Sequence, residues 1–272
     1  MFIAEPPSSQ FDLHFQIAGF PVRVTPFFWV AAGVLGHSLA AGFNLALEDQ
    51  SPTLGVLLGL WIVCVFLSIL THEMGHAVAM RFYGMKARIV LWHFGGLAVP
   101  ESMSSFVGFS SRTRPRAQIV ISAAGPAAQL LLAVAVIAAA RLAGWRVNTM
   151  IAWVNDTFAL LTGTSELPLQ PAEVLLTFFL WPSIAWALLN LLPIYPLDGG
   201  QIAREVFTIV SPHNGTRHSL VFSFVTALAV VLYGLNQNDI FLAIMFGMLA
   251  YSSYQMLRMY TGRGGSGRGN PW

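Results

Sequence analysis

The chain has 272 residues, 56% of them hydrophobic and only 10% charged, with a formal net charge of +2. A soluble domain carries about 25% charged residues, so this composition excludes an ordinary water-exposed globule, and the near-neutral charge argues against bulk nucleic-acid binding. The single cysteine, Cys64, excludes an intramolecular disulfide and any cysteine-cluster metal site.

The first residues, with Glu5 and Asp12, lack the basic start and apolar stretch of a cleaved signal peptide. Membrane insertion is therefore expected from internal helices. Residues 11–25, FDLHFQIAGFPVRVT, alternate apolar and polar side chains about Gly19-Phe20-Pro21, which predicts a small hairpin. A helix crosses the hydrocarbon core with roughly 20 apolar residues. Six segments meet that length or approach it, at about 26–45, 54–82, 118–140, 174–193, 219–235 and 240–257. Residues 87–99, ARIVLWHFGGLAV, predict two extended segments about a tight turn centred on Gly95-Gly96. Ile151 to Leu161 suggests a short interfacial or re-entrant helix ended by Gly163 and Pro168. The tail TGRGGSGRGNPW is glycine-rich and reads as disordered.

The expected fold class is an all-α polytopic membrane protein. It has about six transmembrane helices, a small N-terminal β-hairpin and a membrane-associated extended loop. Its expected parts are an N-terminal interfacial segment at 1–25, a membrane-embedded domain at 26–259 and a tail at 260–272. Cytoplasmic loops collect Lys and Arg. Arg23, the set Arg81, Lys86, Arg88, Arg112, Arg114 and Arg116, then Arg204 and Arg217, and finally Arg258, Arg263 and Arg268 all fall on one side if the helices alternate. Arg141 and Arg146 fall on the other, with Glu48, Asp49 and Asp239. That split places both termini in the cytoplasm.

The chemistry concentrates in His72-Glu73-Met74-Gly75-His76, at the end of the second apolar segment. Residues four apart share a helix face, so His72 and His76 can hold one zinc ion together, with Glu73 beside them as general base. Ionisable side chains at mid-bilayer cost about 2.5–3.5 kcal/mol each, and three together call for a metal, water or partners. The same pattern also fits a helix end emerging among headgroups, near Arg81. A catalytic zinc takes three protein ligands and keeps one position open. The candidate third ligand is Asp198, in the stretch NLLPIYPLDGG that begins at Asn190. Pro193 and Pro196 would break the fourth helix, and irregular backbone at membrane depth is tolerated where it lines a cavity. Read alone, the stretch also fits a helix terminator followed by a glycine turn at the membrane surface. His93 adjoins Gly95-Gly96 and is a secondary candidate, whereas His14, His37, His213 and His218 read as packed or solvated.

The pairing of THEMGHA with NLLPIYPLDGG resembles the site-2 protease family of intramembrane zinc metalloproteases. The resemblance runs from the N-terminal hairpin through the fourth helix. It implies one zinc ion per chain, bound by His72, His76 and Asp198, and Glu73 as the catalytic carboxylate. It also implies that Asn190 binds the developing oxyanion or the substrate, and that Gly95 and Gly96 lie in an extended loop near the substrate path. Ala124-Gly125-Pro126 matches the family's glycine-proline motif, but Gln129 stands where members often carry asparagine. With no loop long enough for a PDZ domain and no CBS domain after the sixth helix, a compact member is expected. The partners implied are the lipid bilayer and transmembrane protein substrates, such as anti-sigma factors, precursor transcription factors or signal-peptide remnants. The implied location is a prokaryotic cytoplasmic membrane. Two alternatives stand beside this reading. One is a membrane metalloprotease of the prenyl-protein-processing type, which would need a glutamate as third ligand. The other is an inactive homologue that binds substrates.

Overall fold

The computed structural model describes residues 7–47, 51–93, 95–100, 114–145, 147–151, 155 and 171–262. Strands β1 (Leu13–Ile17) and β2 (Phe20–Val24) precede helices α1 (Pro26–Ala46) and α2 (Leu54–Phe82). Strands β3 (Ala87–Trp92) and β4 (Gly95–Pro100) follow, then α3 (Arg114–Leu142), α4 (Pro171–Asn190), α5 (Asp198–Val210), α6 (Gly215–Asn236) and α7 (Ile240–Gly262). All of these helices except α5 are long and apolar enough to cross a membrane, which gives the six spans expected. Large apolar side chains stand exposed along them, among them Phe27, Val30 and Val34 on α1, Leu131 and Val134 on α3, and Leu232 on α6. Such surfaces suit lipid, where a helix satisfies its own backbone. The chain is an integral membrane protein.

The chain divides into two compact units, one of residues 5–105 and 124–188, the other of residues 1–4, 106–123 and 189–272. The first holds a four-stranded sheet in the order β1-β2-β3-β4. Ala18 and Gly19, at φ 51 and 78, make the tight β1–β2 turn, and positive φ at both central residues is what a twisted two-residue hairpin needs. β2 then pairs in parallel with β3, Val22 against Ile89 and Val24 against Leu91. A parallel pair needs a long crossover, supplied here by α1 and α2. The hairpin and the extended loop expected from the sequence are thus one sheet. β3 and β4 are antiparallel with Trp92 opposite Gly95, so the reversal falls between those residues. Gly95 and Gly96 open β4, two residues later than the turn they were expected to centre.

The sheet is fastened to the end of α2. Arg81 donates to the Ala18 carbonyl at 3.0 Å, and its guanidinium lies 3.6 Å from the centroid of the Phe20 ring. Phe20, Val22, Val24, Ile89, Val90 and Leu91 are buried beneath. Along the helices, Trp61 donates from its indole to the Ala32 carbonyl at 2.9 Å, and a side chain at Gly36 would overlap the Trp61 ring. Trp61 in turn meets Phe178 of α4 edge-on. Further along, Ala133, Ala140, Leu180 and Ile184 close α3 on α4.

In the second unit, Ile194, Ala227, Phe246 and Ala250 form a core among α6, α7 and the segment before α5. α5 is a helix the sequence reading did not anticipate. α7 continues through Gly262, so residues 260–262 are helical. Residues 263–272 and nearly all of the predicted 151–161 helix lie outside the described residues.

Candidate metal centre

α2 forms because its Leu, Val and Ile run is continuous and free of proline, and its last turns carry the polar residues. His72, Glu73 and His76 are all buried. One helical turn apart, His72 and His76 bring their Nε2 atoms within 3.1 Å of each other, with the rings nearly perpendicular at 78°. Two imidazole nitrogens on one tetrahedral zinc at about 2.0–2.1 Å each would stand only slightly further apart than this. The pair therefore fits a shared ion with little adjustment.

The ground around the pair is cleared by glycine. A Cβ at Gly75 would overlap the Ala124 carbonyl, so α2 and α3 approach backbone to backbone there. A Cβ at Gly125 would overlap the His76 ring, and one at Gly96 would overlap the Glu73 carboxyl. β4 thus begins against the Glu73 carboxyl. Gly95, at φ 115, presses its backbone against the Trp186 ring. Gln129, whose role the sequence left open, is buried beside His72, its Oε1 3.0 Å from His72 Nδ1. The signal that could have flagged it is polarity at helical spacing. Ser68 lies four residues before His72 on an otherwise apolar helix, and Gln129 four residues after Gly125. His93 stacks against Phe27 and Trp92 and does not belong to the group of possible ligands.

Asp198 opens α5 in the second unit and is buried, as is Asn190 at the end of α4. The backbone before Asp198 is held from both sides. Tyr195 N donates to Ser223 Oγ at 2.6 Å, Ser253 Oγ donates to the Tyr195 carbonyl at 3.3 Å, and the two hydroxyls are 2.9 Å apart. Gln201, one turn on, accepts from Gln118 Nε2 at 3.0 Å. Side chains at Gly199 and Gly200 would overlap the backbone at Leu191 and Ile194, so the first turn of α5 lies directly on the proline-broken segment.

His72 and His76 in the first unit and Asp198 in the second are each buried, and they are the three candidate ligands that the sequence names. Two imidazoles and a carboxylate with no thiolate are a donor set that suits catalytic zinc.

Residues 60–232 match the model of peptidase family M50. Rip3, a candidate zinc metalloprotease of Mycobacterium tuberculosis, is 32% identical over 195 residues, which is 70% of this chain and 42% of that protein. sll0528, a candidate zinc metalloprotease of Synechocystis, is 27% identical over 198 residues, again 70% of this chain and 42% of the relative. The chain therefore spans less than half the length of these two relatives. A solved structure, the site-2 protease from Methanocaldococcus jannaschii, is similar over 91% of this chain and 95% of that one, at 21% identity and a TM-score of 0.48.

Proposed function

This chain belongs to peptidase family M50, and from that premise we propose that it is an intramembrane zinc metalloprotease that hydrolyses peptide bonds of transmembrane proteins. The observation that carries the reading is the pair of Nε2 atoms 3.1 Å apart on two buried histidines of α2, with Glu73 buried on the same turn of the helix. Nothing in the packing of an apolar helix calls for three such residues, and their insertion is costly.

In this reading His72, His76 and Asp198 are the zinc ligands, one ion per chain. When bound, zinc supplies Lewis-acid polarisation of the attacking water and the scissile carbonyl. Glu73 accepts a proton from that water and hands it to the departing amine. Asn190 donates from its amide to the developing oxyanion or to the substrate backbone. A transmembrane substrate must be unwound locally, because helical hydrogen bonds shield its peptide bonds. The edge of β4 beginning at Gly95 and Gly96 supplies strand pairing for the unwound segment. That would deliver it beside Glu73, whose carboxyl the Gly96 backbone already touches.

We further assign both termini to the cytoplasmic side of a prokaryotic inner membrane, on the asymmetry of Lys and Arg between the two sets of loops. The test of the chemistry is Glu73→Gln in a reconstituted assay with a transmembrane substrate. The variant keeps its zinc and loses cleavage. Full cleavage by Glu73→Gln contradicts the mechanism.

A further inference from the structure

A chain of polar side chains leads away from His72 into the apolar interior. His72 Nδ1 meets Gln129 Oε1 at 3.0 Å. The far end of the same amide donates from Nε2 to Ser68 Oγ at 2.7 Å and to the Ser68 backbone carbonyl at 3.3 Å. Ser68 Oγ is linked to Ser183 Oγ at 3.0 Å, and Ser183 donates to the Phe179 carbonyl at 2.6 Å. Ser68, Gln129, Ser183 and His72 are 0%, 1%, 1% and 2% exposed, so water cannot substitute for any of these links.

The direction of the amide follows from elementary donor and acceptor rules. A backbone carbonyl only accepts, so the NH2 of Gln129 faces Ser68 and its oxygen faces His72. That oxygen also only accepts, so His72 Nδ1 carries the proton. The lone pair of the neutral ring is then on Nε2, the atom turned toward His76. Replacing such a set by apolar side chains of the same shape is often close to neutral for stability. Packing alone therefore gives no reason for polar residues from α2, α3 and α4 to meet here.

We propose that Gln129, anchored by Ser68 and Ser183, is a positioning residue that fixes the Nδ1-protonated tautomer and the ring orientation of His72, and so sets the zinc affinity of the site. The inference rests on the metal reading above. Metal-bound histidines that donate their other nitrogen to a fixed acceptor lose about 10–100-fold in metal affinity when the acceptor is removed.

The experiment measures zinc affinity by competition with a chromophoric chelator, on the 272-residue chain in detergent, for wild type, Gln129→Met and Gln129→Glu. Thermal denaturation of the zinc-free proteins runs beside it. Gln129→Met is expected to weaken zinc binding about 10–100-fold, whereas Gln129→Glu, which still accepts from Nδ1 though it gives up the amide's donation to the Ser68 carbonyl, loses distinctly less. Wild-type affinity in Gln129→Met overturns the proposal, as does an equal loss in both variants, which would reduce the position to packing. The tautomer is also read without any substitution at position 129, by nitrogen NMR of histidine-labelled zinc-free wild type, with His72 assigned by its replacement. A His72 ring protonated on Nε2 overturns the proposal even if Gln129→Met does not fold. Wild type that binds no zinc overturns the metal reading instead, and leaves the tautomer to be decided by the NMR result.

Discussion

The Glu73 carboxyl lies against the backbone of Gly96, so closely that a single added carbon at Gly96 would overlap it. The first residues of an edge strand and the proposed general base therefore share one small space. A substrate strand paired to β4 would arrive beside the carboxylate without either having to move. Gly96→Ala is expected to lower cleavage about 100-fold, the scale of a displacement of about 1 Å at a reacting group, while zinc content stays at the wild-type level. Unchanged cleavage would mean that Glu73 and β4 do not act together.

The backbone before Asp198 is held by hydroxyls from the next two helices, α6 and α7. Ser223 and Ser253 hold the N–H and the carbonyl of Tyr195, three residues before it. Ser223→Ala removes the hydroxyl that accepts from the Tyr195 N–H and should destabilise the fold by about 0.5–1.5 kcal/mol, the net worth of one intramolecular hydrogen bond. Thermal denaturation in detergent reads the loss, and zinc affinity should fall with it. A neutral substitution would show that the segment before Asp198 is fixed by its prolines and by the Gly199 and Gly200 contacts alone.

Outside the spans, Asp12 ties the residues before β1 to β2. A hydrogen bond from the Ser9 backbone N–H, the guanidinium of Arg23 and nearby His14 hold its carboxyl below the usual aspartate range, against the opposing effect of burial. Because its pKa is lower in the folded chain than in the unfolded one, its contribution is fully present at neutral pH. That contribution fades as pH falls from the ordinary aspartate value, about 3.9, through the lowered one. Hydrogen exchange in β1 and β2 should accelerate over that acid range in wild type. In Asp12→Asn it should be faster at neutral pH and show no such step.

Much of the site can be read directly from residues close in sequence. His72 and His76 share a face because they are four apart on a helix, and Glu73 comes with them. The six spans follow from the length of apolar runs. Asp198 could be nominated because Pro193 and Pro196 interrupt an apolar helix just before a carboxylate. What stayed hidden depends on partners distant in the chain. The parallel pairing of Val22 with Ile89 crosses two whole helices, and nothing local in either strand signals it. α5 was masked by Gly199-Gly200, which read as a turn. Their poor helix propensity is outweighed by a contact with the Leu191 and Ile194 backbone that no side chain would permit. Gln129 was visible as a departure from a motif, but its bond to His72 required the register of α3 on α2.

The central claim is that residues from two separate motifs hold one catalytic metal. The most direct measurement is zinc content per chain in detergent-purified wild type, Glu73→Gln and Asp198→Ala, prepared without chelators. The account predicts a single zinc ion per chain in wild type and in Glu73→Gln, and a large loss in Asp198→Ala. Wild type without zinc would contradict the metalloprotease reading, and full zinc in Asp198→Ala would remove Asp198 from the ligand set.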